Sequence, residues 1–275
     1  MFDYYAYGLR FCSEFELPEL SAVGHQADDV DVFVSLGEVT EDDLKGARQI
    51  SPYIWVREND FFLEVPGVAQ FRVTSGSSIL VSPSANIDFD SVRLFLLGSC
   101  FGALLMQRGY LVLHGNAIEI GDRCIVCVGP SGVGKSTLST AFMKRGYRIL
   151  ADDVVPIDGQ GDVVPGIPRV KVWDDVVSKL SIKNEGLTLI RPGLSKYNLP
   201  LDLSYCDVSR RVSHLFILSG SNIDSVEVDY VHGIEKFSSL SNNTYRHRFV
   251  KGMNLENRSS TLAGGIFGSC ACATH

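Results

Sequence analysis

The sequence carries no surplus of positive charge. Its 25 lysines and arginines are outnumbered by 32 aspartates and glutamates, giving a formal net charge of −7 and a pI near 5.4. A general nucleic-acid binder needs a cationic surface to displace phosphate counterions, so no nucleic-acid partner is expected. Long hydrophobic runs are lacking as well. The longest, "LFLLGSCFGALLM" (Leu94 to Met106), has 13 residues, too few to span a bilayer and the right length for a buried helix. Gly98 and Gly102 lie one turn apart in it and permit close backbone packing. The opening "MFDYYAYGLRF" lacks the basic-then-apolar order of a signal peptide. No membrane partner is expected, and the expected compartment is the cytoplasm.

Cysteines number seven, an odd count with no spacing typical of a disulfide framework. Cys124 and Cys127 form C-x-x-C inside "CIVCV", an apolar run that reads as a buried strand. Residues three apart on a strand point to opposite faces, so the expected role is core packing rather than a shared metal. Cys270 and Cys272 sit in a small-residue tail.

The first 85 or so residues read as strands. "DVDVFVSLG", "YIWV", "FFLEV", "QFRV" and "SILVS" are short alternating or β-branched runs broken by Gly, Asp, Asn and Ser. The pattern then predicts a helix from about Ser91 to Arg108, with Asp90 as N-cap and Gly109 at its end. Next come the strands "YLVLHGNAIEI" and "RCIVCVG" around a Gly121-Asp122 turn. A helix "KSTLSTAFMKRG", a strand "YRIL", a hairpin "VVPID-GQG-DVVP", a helix "VWDDVVSKL" and a strand "SHLFILSG" follow. The chain is expected to divide into a strand-rich region, 1–88, for substrate recognition or assembly, and a mixed α/β (α+β) region, 89–275.

What is present is a phosphate loop. Gly129-Pro130-Ser131-Gly132-Val133-Gly134-Lys135-Ser136 satisfies G-x-x-x-x-G-K-[ST], between an apolar strand and a helix. Such a loop turns backbone N–H groups toward phosphates, and the helix adds its positive end. Lys135 is placed to reach the β- and γ-phosphates and Ser136 to ligate Mg²⁺, with Thr137 completing the cofactor-binding set. The cofactors expected are ATP and Mg²⁺. The guanine-reading N-K-x-D and the signature of a membrane-transporter ATPase are both missing.

Asp152 and Asp153 follow Lys135 by 17 and 18 positions, at the end of a strand. One aspartate there suits metal binding, and a second makes room for accepting a proton from an attacking hydroxyl. His114 ends "YLVLH", on the strand expected beside the one feeding the loop. It fits either a place near the γ-phosphate or a hydrogen-bonded core position.

The stretch "LHGNAIEIGDRCIVCVGPSGVGKSTLSTAFMKRGYRILADD" resembles the catalytic domain of the HPr kinase/phosphorylase family. "YGLRFCSEFELPEL", "LLGSCFGALLMQRGYLVLHGNAI", "GIPRVKVWDDVV" and "SKYNLPLDL" resemble the stand-alone HPr-kinase-like branch that tailors lasso-peptide precursors. The resemblance implies a largely antiparallel central sheet and an ATP-dependent kinase acting on a serine of a ribosomal peptide. It implies Asp152 as general base oriented by His114, with Asp153 assisting or joining Ser136 at the metal. It also admits a homo-oligomer. The family's acidic Arg-Gly segment is replaced by "VVPGIPRVKVW", without glutamate, which predicts a kinase lacking the reverse activity. Arg169, Lys171 or Lys196 then become candidates for neutralising the transferring charge. The tail "NLENRSSTLAGGIFGSCACATH" departs from the helical ending of the family. Two other readings stay open: a kinase of a free small-molecule hydroxyl, and a nucleotide-binding regulatory module without transfer chemistry.

Overall fold

The structure is a computed structural model that describes residues 1–24, 30–182, 186–191, 193–220, 227–255 and 271–274. Over these residues it is a mixed α/β protein with two large sheets, one small sheet and few helices.

The first sheet is built from β1 (Phe2–Ala6), β2 (Leu9–Ser13), β3 (Ser21–Ala22), β4 (Val32–Leu36), β5 (Arg48–Ser51), β6 (Ile54–Arg57), β7 (Asp60–Val65), β8 (Ala69–Thr74) and β9 (Ser78–Pro83). Their order is β3-β1-β2-β4-β9-β8-β7-β6-β5. Alternation decides which face is covered: Ala69, Phe71 and Val73 of β8 are buried, while Gln70, Arg72 and Thr74 are not. The strands expected from the alternating runs are present. β1 and β2, which have no such clean pattern, are additional; they join through Tyr7 and Gly8, both at positive φ.

The covering element is α1 (Phe89–Phe95), a π-helical turn (Leu96–Cys100) and α2 (Phe101–Gln107). Its N-cap is Asp88, whose carboxylate accepts the Ser91 N–H at 2.7 Å, and not Asp90, which lies in the first turn and pairs with Arg93. The helix spans 19 residues and is long and apolar enough to cross a bilayer, but 72% of its apolar window is buried within the protein. Its side chains fill the same core as Phe11, Phe61, Phe71 and Val81 of the first sheet. That core also takes Val154, Ile167, Tyr245 and Phe249 from later in the chain.

The second sheet and its connections comprise β10 (Leu111–Leu113), β11 (Gly115–Ile120), β12 (Arg123–Val128), α3 (Lys135–Lys144), β13 (Ile149–Asp152), β14 (Val155–Ile157) and β15 (Asp162–Val163). Then come β16 (Arg169–Trp173), α4 (Asp174–Lys179), β17 (Thr188–Leu189), β18 (Lys196–Pro200), β19 (Arg210–Ile217), β20 (Asp229–Tyr230), α5 (Ile234–Asn243), α6 (His247–Gly252) and β21 (Ala271–Thr274). The order β10-β14-β15-β19-β12-β11-β13 is antiparallel except where β12 lies parallel to β19. A largely antiparallel central sheet is therefore present. β16, β18 and β17 form the small separate sheet.

The expected single strand "YLVLHGNAIEI" is broken at His114. A Cβ on Gly115 would stand 2.4 Å from the Cys127 carbonyl, so this backbone approaches β12 more closely than any other residue allows. Cys124 and Cys127 are both buried, as core packing requires, and burial pushes the Cys127 thiol up to about 12. Cys270 and most of the tail, 256–270, lie outside the described residues.

Candidate active site

The phosphate loop leaves β12 and closes at the start of α3. Lys135 folds back so that its ammonium donates to the Gly129 and Pro130 carbonyls at 2.7 and 2.9 Å. Burial lowers the pKa of this lysine, and the charges of Asp153 and Asp152 oppose the shift. Asn116, fully buried on β11, donates its side-chain amide to the Lys135 carbonyl and ties the first turn of α3 to the sheet.

Asp152 ends β13, opposite Asn116 in the register with β11. One carboxylate oxygen lies 3.4 Å from the Ser136 hydroxyl, and the other accepts the Lys171 N–H at 2.9 Å. Burial raises its pKa to about 6, and the neighbouring Asp153 charge adds to the rise. Asp153 sits at φ 72°, an uncommon conformation for a side chain other than glycine. Its carboxylate meets the Lys171 ammonium at 2.6 Å and His114 Nδ1 at 3.3 Å. The same ring nitrogen lies 3.1 Å from the Asp153 carbonyl. Burial opposes ionisation of Asp153, but the Lys171 charge and the His114 hydrogen bond hold it well below the usual carboxylate range.

The pairing therefore differs from the one the resemblance implied. His114 reaches Asp153 and not Asp152; Ser136 faces Asp152 and not Asp153. Among the described residues no cluster of three or more His, Cys, Asp or Glu could hold a metal by itself. The Ser136 hydroxyl and Asp152 carboxylate are hard oxygen donors of the kind Mg²⁺ takes together with phosphate oxygens, so this pair fits the ion.

Two cavities meet here. The smaller, about 150 Å³, is lined by Ser131, Gly132, Gly134, Lys135, Ser136 and Thr137 on one side. Asp152, Asp153, Lys171, Trp173 and Lys196 line the other side. Val133 is absent from that lining, so the loop contact expected of it is not a side-chain one. The larger cavity, about 730 Å³, has His114, Asp153 and Lys171 at one end and is walled by the π turn, Tyr245 and Arg246. A π turn in such a wall is a common feature of functional sites. Gly129 and Pro130 border it as well.

Of the cations expected to meet transferring charge, Lys171 and Lys196 line the phosphate pocket and Arg169 does not. Arg169 is 8% exposed, donates to the Asn198 side chain at 2.9 Å, and faces Glu19 at 3.8 Å. Sequence reasoning missed Asn116, Trp173, Tyr245 and Arg246. Asn116 left a trace, a polar residue inside an apolar strand pattern; the others come from distant segments with no local signature.

Residues 108–169 match the family model described as HPr Serine kinase C-terminal domain. The HPr kinase/phosphorylase of Clostridium botulinum (strain Eklund 17B / Type B) is 33% identical over 61 residues, 22% of this chain and 20% of that protein. That of Lactobacillus johnsonii is 38% identical over 60 residues, 21% and 19% of the two chains. The chain thus spans about one fifth of the length of the curated relatives it matches. The solved HPr(Ser) kinase/phosphatase from Coxiella burnetii aligns with a TM-score of 0.28 and 18% identity, over 45% of this chain and 77% of that one. Over the matched segment, which holds His114, the loop and both aspartates, the chain is similar to the HPr kinase superfamily. Lys171, Trp173 and Lys196 lie beyond it.

Proposed function

We propose that this protein is an ATP-dependent kinase that transfers the γ-phosphoryl group of MgATP to a serine hydroxyl of a ribosomally made peptide, of the lasso-precursor type. The observation that carries the reading is the placement of Asp153. It stands between His114 and Lys171 where a phosphate pocket opens into a second cavity large enough for an acceptor.

The geometry divides the labour. The loop N–H groups and Lys135 bind the phosphates, and Ser136 with Asp152 would hold Mg²⁺, which supplies charge neutralisation at the β- and γ-phosphates. Asp153 borders the acceptor cavity, so it takes the hydroxyl proton, while His114 and Lys171 fix its carboxylate. Position decides this assignment before pKa does. Lys171 and Lys196 face the transferring charge. The absence of glutamate in the strand carrying Lys171 supports a forward kinase without phosphorolysis. The matched relatives are named for phosphorylating a protein, HPr, which favours a polypeptide acceptor. The compartment we propose is the cytoplasm.

A second reading has its own support. A cavity of about 730 Å³ is within the range of small-molecule sites, which suits a free hydroxyl compound. One experiment separates the two. Short peptides encoded beside the gene, and separately a pool of free hydroxy amino acids and sugars, are incubated with enzyme and MgATP and read by mass spectrometry. A phosphate gained on a peptide serine, lost in Asp153→Asn while MgADP still binds, is the expected result. Labelling of the free pool alone moves the acceptor to small molecules. Full transfer by Asp153→Asn would remove it as the base.

A further inference from the structure

Lys171 and Lys196 both face the phosphate pocket, but they are held in different ways. Lys171 is paired with a carboxylate, at 2.6 Å from Asp153. Lys196 meets no carboxylate within ion-pair distance among the described residues; its ammonium lies 5.1 Å from the centroid of the Trp173 ring.

That contact is built into the small sheet. Trp173 and Lys196 are direct cross-strand partners in the register of β16 with β18, which also pairs Lys171 with Asn198. Alternation puts Arg169, Lys171 and Trp173 on one face of β16. Along that face Arg169 is committed to Asn198, Lys171 to Asp153, and Trp173 to Lys196. The last pair stands at the outer end and lines both cavities. Trp173 is 46% exposed, so its ring is open to the two cavities it lines.

The chemistry of the two anchors differs in one respect that matters for phosphoryl transfer. A carboxylate neutralises the cation it holds, whereas an aromatic face attracts a cation through its quadrupole and leaves the charge intact. We propose that Trp173 is a positioning residue: its indole holds Lys196 clear of direct carboxylate contact at the boundary of the two cavities, so that the ammonium meets the terminal phosphoryl group of a nucleoside triphosphate. The inference rests on the nucleotide-binding reading of the loop. Its consequence is selectivity for triphosphate over diphosphate, set by a residue outside the loop.

The test uses the full chain and needs no acceptor. Affinities for MgADP and for a magnesium-bound, non-hydrolysable ATP analogue are measured by calorimetry. The wild type should prefer the triphosphate analogue. Trp173→Leu should cut that preference by about three- to tenfold, leaving MgADP affinity within about twofold. Lys196→Met should do at least as much, and Trp173→Phe should restore the preference. The chain has two tryptophans, so Trp55→Phe leaves Trp173 as the only indole. Its emission should respond to the triphosphate analogue and not to MgADP, as the terminal phosphate draws up to the ammonium held beside the ring. An unchanged preference in Trp173→Leu, or equal losses for both nucleotides, overturns the inference while leaving nucleotide binding intact. A wild type that binds neither nucleotide overturns the inference and the kinase reading together.

Discussion

Asp152 and Asp153 are adjacent in the chain yet ionise in opposite directions, and the difference is measurable. Burial holds Asp152 up at about 6, while Lys171 and His114 keep Asp153 well below the usual range. In the metal-holding role proposed for it, Asp152 acts only when ionised. A carboxylate with a raised pKa gives up its proton as pH rises through that value. MgADP affinity should therefore be weakest in acid, climb by up to about tenfold per unit toward pH 6, and level off above it. Calorimetric titrations of wild type and Asp152→Asn across this range isolate the contribution, because the variant lacks the group. The slope assigned to Asp152 should vanish in the variant and persist in Asp153→Asn, moved to lower pH because the neighbouring charge that adds to the rise is gone. A slope of wild-type size in Asp152→Asn would assign the titration elsewhere. The left-handed backbone at Asp153 costs on the order of 1–3 kcal/mol, an expense that marks the residue as one whose direction is imposed by its surroundings.

At the scale of elements, the long helix α1–α2 is both a core filler and a wall of the larger cavity. Its Gly102 is where Tyr245 rests: a Cβ there would stand 2.7 Å from the phenol ring, and one on Gly98 would stand 3.2 Å from the hydroxyl. Tyr245 is buried, its N–H bonds to the Val112 carbonyl, and its ring lies 5.9 Å from that of His114. Alanine at position 102 would add helix propensity worth about 1 kcal/mol, but it must displace a ring that packing prevents from yielding. Gly102→Ala should lower stability by about 1–3 kcal/mol net, read as a drop in thermal midpoint, and Gly98→Ala should cost less. A stabilised Gly102→Ala would show that Tyr245 is free to move.

The spacing of these glycines was legible in the sequence, and their partner was not, because Tyr245 arrives from a segment far along the chain. The same division holds elsewhere. The loop, the strand leading to Asp152 and the turn at Gly121 are written in contiguous residues, so they could be read. The break at His114, the exchange of partners between the two aspartates, and the burial of Arg169 depend on which segments meet. Arg169 could not be told from a surface cation, since Glu19 and Asn198, which hold it, lie 150 and 29 positions away.

Across the whole molecule the first sheet and the phosphate site are joined by more than the chain. The core of the first sheet includes Val154, just past the aspartates, with Tyr245 from the cavity wall and Phe249 from α6. Glu19 accepts from Arg93 of the helix at 3.0 Å and faces Arg169 of the small sheet. The Tyr7 N–H donates to the Pro165 carbonyl at 3.0 Å. A boundary drawn between residues 88 and 89 would part a helix from the sheet it covers. The expected behaviour is one cooperative unit, and the two tryptophans report on its two ends: Trp55 lies in β6 and Trp173 beside the phosphate pocket. Trp55→Phe and Trp173→Phe each leave one of them. Followed by fluorescence during heating, the two single-tryptophan proteins should melt at midpoints that shift together. Saturating MgADP should raise both, by about 2.7 kcal/mol of stability at a hundredfold excess over Kd. Coincidence of probes is the mark of a two-state unit. A Trp55 transition that ignores nucleotide, while Trp173's rises, would show instead that the first sheet melts alone and that the shared core does not bind it to the site.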